Sequence, residues 1–75
     1  MDDTEALKVF KSVYSPAILL KKENKYLILY YFYGFSVAEI NSKDDVFGNM
    51  RVYSLEDIDI KGYEVMAVTK GSYWW

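Results

Sequence analysis

The residues able to do chemistry in this chain are few, and most of them are acids. Asp44 and Asp45 stand together, and Glu56, Asp57 and Asp59 form a second group. Neither has the spacing of a calcium loop with its sixth-position glycine, so a solvated loop or a helix cap is the expected role. Histidine and cysteine are both absent. That removes the Ser-His-Asp and Cys-His nucleophilic arrangements, the usual zinc sites and any disulfide framework. The four glycines are scattered singly, so no phosphate-cradling loop exists. No cofactor and no metal is expected, and the chain is read as a non-enzyme.

Lys21, Lys22 and Lys25 form the one basic cluster, interrupted by Glu23 and followed by Tyr26. Such a group can grip a phosphate while neighbouring tyrosines stack on bases. It equally keeps a β-hairpin tip soluble and unpaired. A net charge of −2 supplies no long-range pull toward nucleic acid or an anionic membrane, which disfavours a nucleic-acid partner.

Aromatic residues are the richer signal. They make up 19% of 75 residues, with eight tyrosines and two tryptophans. Tyrosine and tryptophan give large, rigid contact area with a polar end and are enriched at protein interfaces. The candidate binding residues are therefore Tyr30, Tyr31, Tyr33, Tyr53, Tyr73, Trp74 and Trp75, with Lys21, Lys22 and Lys25 beside them. The terminal tryptophans are expected to fold back or to dock on a partner, because two exposed indoles are an aggregation liability.

The elements that must position these side chains follow from periodicity. Residues 2–14 read as a helix: Asp2 with Glu5 makes a capping box, and Ala6, Val9, Phe10 and Val13 form one apolar stripe. Pro16 is expected to end it at Ser15. Residues 17–32 read as a hairpin turning at Glu23-Asn24, with Leu20 facing Leu27 and Ile18 facing Leu29. Asparagine tolerates a positive φ there and glutamate does not, which leaves the turn type open.

From Tyr26 to Ala38 no residue is charged. As a helix this run would be about 20 Å long, short of the ~30 Å hydrocarbon core, so it does not span a membrane. As one strand it would reach about 43 Å, too long for a small domain, and Gly34 supplies the break before a second strand, FSVAEI. Residues 41–49 read as a loop and MRVYS as a short strand. Ser54 and Asp57 match a capping pattern that predicts a helical turn over LEDI, and YEVMAVTK reads as the last strand before the SYWW tail.

The expected architecture is α+β: one N-terminal helix packed on a curved antiparallel sheet of four to five strands, in a single small domain over residues 1–75. The central strand is apolar on both faces, with Leu27, Leu29, Tyr31 and Tyr33 on one and Tyr26, Ile28, Tyr30 and Phe32 on the other. Such a strand is covered twice. The helix provides one cover; the C-terminal aromatics, a curled sheet or another molecule must provide the second.

These features point to a small non-catalytic protein-binding module, a regulator or inhibitor acting through an aromatic-rich face. Its partner is a second copy, as in a homodimer, or a host protein. The alternatives are sequestration of a nucleotide or small ligand, and single-stranded nucleic-acid binding by tyrosine stacking. The acidic opening segment lacks the basic and apolar regions of a secretory signal, and with no cysteine a cytoplasmic location is expected. A single arginine, Arg51, against abundant Lys, Tyr and Ile fits an AT-rich genome, such as that of a low-GC bacterium or its phage.

Overall fold

A computed structural model describes residues 1–69. The N-terminal helix, α1, spans Asp3–Phe10. Its capping box forms as expected: the Glu5 N–H donates to Asp2 Oδ1 at 2.9 Å and the Asp2 N–H to Glu5 Oε1 at 3.0 Å. The helix is shorter than the 2–14 reading, and Pro16 is not what ends it. The last turn tightens into i→i+3 bonds, with the Ser12 hydroxyl donating to the Val9 carbonyl at 2.6 Å. Val13 lies beyond the helix yet stays buried, so the stripe of Ala6, Val9, Phe10 and Val13 is intact.

Five strands follow: β1 Ala17–Lys22, β2 Lys25–Tyr31, β3 Phe35–Ile40, β4 Arg51–Ser54 and β5 Glu64–Thr69, with a 3₁₀ turn at Phe47–Asn49. They form one antiparallel sheet in the order β4-β3-β2-β1-β5, open or curled rather than closed into a barrel. The α+β reading and its upper strand count therefore hold. In the β1–β2 hairpin Leu20 lies opposite Leu27 and Ile18 opposite Leu29, as the sequence implied. Lys22 pairs with Lys25, so Glu23-Asn24 is a two-residue turn, and Glu23 takes the positive φ of 56°.

Each face of the sheet carries its own cluster. On the helix side Leu19 and Ile28 are fully buried beside Ala6, Val9 and Phe10. Ala67, Leu19, Ile28 and Ala38 are cross-strand neighbours, and the flanking alanines leave room for the helix. On the far side Leu20, Leu27 and Val37 are buried under Ile58, Ile60 and Tyr63.

Among the described residues the second cover is the β4–β5 connection, while the C-terminal aromatics lie outside them. This connection runs between the two edges of the sheet and lays Ile58 and Ile60 on the far face. Residues 55–57 form a hydrogen-bonded turn, the Asp57 N–H donating to the Ser54 carbonyl at 3.0 Å. The Ser54 hydroxyl donates to Asp57 Oδ2 at 2.9 Å instead of capping a backbone amide, so the capping reading is corrected here.

Candidate functional site: an aromatic pole on the sheet

Among the described residues, the cover on the far face is Ile58, Ile60 and Tyr63, packed with Leu20, Leu27 and Val37. Val68, Ile18, Leu29, Val37 and Tyr53 form a row with one residue per strand, each opposite the next. Ile58, Ile60 and Tyr63 pack against the cluster that joins Val37 of this row to Leu20 and Leu27. On the other side Tyr31 and Phe35 stand opposite each other, their rings edge-on with centroids 5.0 Å apart.

The Tyr31–Phe35 pair closes a three-residue turn made of Phe32, Tyr33 and Gly34. Tyr33 has φ of 60° and Gly34 of 150°. Glycine adopts such angles freely; a tyrosine in the left-handed region is strained. The turn takes Tyr33 off the strand, so it does not share a face with Leu27, Leu29 and Tyr31 as its odd spacing implied. Its side chain is 93% exposed. Phe32 packs edge-on against it, centroids 4.6 Å apart, and is itself 51% exposed.

Tyr14 (64%), Phe35 (59%) and Tyr31 (44%) complete an exposed aromatic group at this end of the sheet. Beside them an apolar groove of about 260 Å³ is lined by Pro16, Ile18, Leu29, Tyr31, Phe35 and Val68. A second hollow of about 300 Å³ opens among Tyr14, Tyr30, Phe32 and Phe47. The segments that build this pole, residues 12–20, 26–38 and 65–69, contain no charged residue.

Charge collects at the opposite end. There Lys22 pairs with Lys25, Lys21 with Glu64 and Glu39 with Arg51. The three lysines do not converge. Lys21 binds Asp3 at 2.7 Å on the helix side, and Lys22 sits over the Tyr63 ring on the far side, 5.8 Å from its centroid. Lys25 lines a polar hollow of about 470 Å³ with Glu39, Asn41 and Tyr63.

Asp3 also accepts a hydrogen bond from Tyr26 Oη at 2.5 Å. The Lys21 and Tyr26 donors hold the Asp3 carboxyl below its ordinary range. In return the bond to Asp3 raises both Lys21 and Tyr26. This triad ties the first helical turn to β1 and β2.

Of the candidate tyrosines, Tyr31 and Tyr33 share the pole. Tyr30 faces the helix side, half-buried and edge-on to Phe47 at 4.7 Å. Tyr53, half-buried on β4, stacks under the Arg51 guanidinium at 5.2 Å. Tyr73, Trp74 and Trp75 lie outside the described residues. Phe32, Phe35 and Tyr14 belong to the pole but were not singled out by sequence. Restarting the strand alternation after Gly34 would have put Phe35 on the same face as Val37.

Two of these acids brace their loops. Asp45 accepts from the Asn41 and Ser42 amides at 2.8 and 3.1 Å, and Asp59 from the Lys61 amide at 2.9 Å. Among the described residues no three acids, histidines or cysteines gather into a metal-binding group, and no helix is long and apolar enough to cross a membrane. No protein family, curated protein or solved structure matches this chain. Its class therefore rests on the fold and the pole: a small α+β domain with an open or curled sheet and, among the described residues, one uncharged aromatic end.

Proposed function

We propose that this chain is a non-catalytic protein-binding module, a regulator or inhibitor that captures another protein through its aromatic pole. One observation carries the reading: Tyr33, almost fully exposed, is held in the left-handed region, and the ring contact it has among the described residues is with Phe32, itself half-exposed. Natural sequences break a local rule of this kind where function, not folding, sets the residue. Exposed tyrosine and phenylalanine around a groove are what interface hot spots are made of. The dispersal of Lys21, Lys22 and Lys25 to separate surfaces favours this reading over phosphate or nucleic-acid capture.

The test is affinity capture with the wild-type chain and with Tyr31→Ala, Tyr33→Ala and Phe35→Ala. The variants should lose the captured protein while their circular dichroism and melting midpoint stay within a few degrees of wild type. Variants that unfold the isolated chain would make these rings core residues and end the proposal.

A further inference from the structure

Resting on that reading, we infer that the partner of the aromatic pole is a second copy of this chain, with the Tyr33 ring of each protomer seated in the other's groove. Knob and hole lie side by side on one surface. The Tyr31–Phe35 pair that carries the turn bearing Tyr33 is also a wall of the groove. A two-fold axis between them brings each knob onto the facing hole, because in an isologous contact residue i meets j and j meets i.

Size, charge and area agree. An apolar cavity of about 150 Å³ already holds a benzene ring, so a groove of about 260 Å³ takes the tyrosine ring. The left-handed φ turns Tyr33 out into solvent, leaving its ring for the facing molecule. Among the described residues no charged side chain lines the groove or stands in the 31–35 turn, so these parts of a two-fold contact oppose no like charges.

At about 200 Å² per ring, the exposures of Tyr14, Tyr31, Phe32, Tyr33 and Phe35 amount to roughly 600 Å² of aromatic surface. Val68, 69% exposed at the groove rim, and Ile18 extend it toward the ~800 Å² per partner of a standard interface.

Sedimentation equilibrium of the full chain across the micromolar range tests this. Wild type should show a concentration-dependent dimer. Tyr33→Gly should weaken association by about tenfold or more while its monomer melts no lower, since glycine is unstrained at that φ. Val68→Lys should block the groove and also give a monomer. An equimolar mixture of the two variants should regain part of the association, because the intact Tyr33 of one enters the intact groove of the other.

A wild type that stays monomeric, or a dimer that survives both substitutions, overturns the inference. So does a monomer whose tryptophan emission shifts with Val68→Lys, which would give the groove to residues 70–75 of the same chain. Tyr33-dependent capture of an unrelated protein by a monomeric chain would leave the broader binding function standing while removing the second copy.

Discussion

At the scale of single residues, Asp3 joins two elements through one carboxylate. It accepts from Lys21 and Tyr26, and its pKa is depressed by those bonds, the one from Lys21 first. A carboxyl depressed on folding contributes stability above its unfolded value, about 3.9, and loses it as pH falls through the lower folded value. Lys21 and Tyr26 are raised on folding, so their share is present below about pH 10 and lost as pH rises through their folded values. The expected outcome is that Asp3→Asn flattens both limbs of a plot of melting midpoint against pH. Equal slopes for variant and wild type would dismiss the triad as a tether. Glu23 gives a second prediction. Its φ of 56° suits glycine, and removing the strain outweighs glycine's added entropy in the unfolded chain. Glu23→Gly should therefore stabilise by about 0.5–1 kcal/mol, read as a higher urea midpoint at unchanged m.

Among elements, the β4–β5 connection does the work that a second helix does in many sheets. Ile58 and Ile60 are half-buried on Leu20, Leu27 and Val37. Truncating either to alanine should cost about 1–2 kcal/mol, below the 2–5 kcal/mol of a fully enclosed site because each side chain keeps some solvent contact. The double variant should also bind a hydrophobic dye, since Leu20, Leu27 and Val37 would then lose that cover. On the helix side the tolerance runs the other way. Ala38 is fully buried beneath α1, so Ala38→Leu should cost about 1–3 kcal/mol by lifting the helix. Chemical denaturation of each variant checks these values. With only eight residues, α1 has little stability of its own and depends on that seat.

Taken whole, the molecule is divided along its sheet: charge at the hairpin tip and the β3–β4 rung, uncharged aromatics at the opposite end. The division separates two kinds of substitution. Leu19→Ala should cost about 2–5 kcal/mol, comparable to the ~3–5 kcal/mol that a core of this size supplies in total, and leave much of the chain unfolded. Tyr33→Ala removes a surface ring contact with half-exposed Phe32 and should leave the urea midpoint nearly unchanged. A large loss at Tyr33 would mean that the pole stabilises the monomer.

Much of the fold was legible without coordinates, and the reason is local. The capping box, the apolar stripe on α1 and the Leu20–Leu27 and Ile18–Leu29 pairings depend on residues within a few positions or across one short turn. Periodicity reports such neighbours directly. The end of the helix was missed because a side-chain bond from Ser12 to Val9 competes with continuation, and composition does not announce it.

What tertiary structure alone decided is which rings are covered. Sequence placed Tyr30 and Tyr31 on opposite faces but gave no sign that Phe47 would pack against one while the other stayed open. Ile58 and Ile60 carried an apolar alternation that the capping pattern at Ser54 and Asp57 obscured. Coverage of a sheet face depends on the path of a chain arriving from the opposite edge, a long-range property that no local spacing encodes. The amount of aromatic surface was set by the amino acids; its gathering into one neutral pole was set by the order β4-β3-β2-β1-β5.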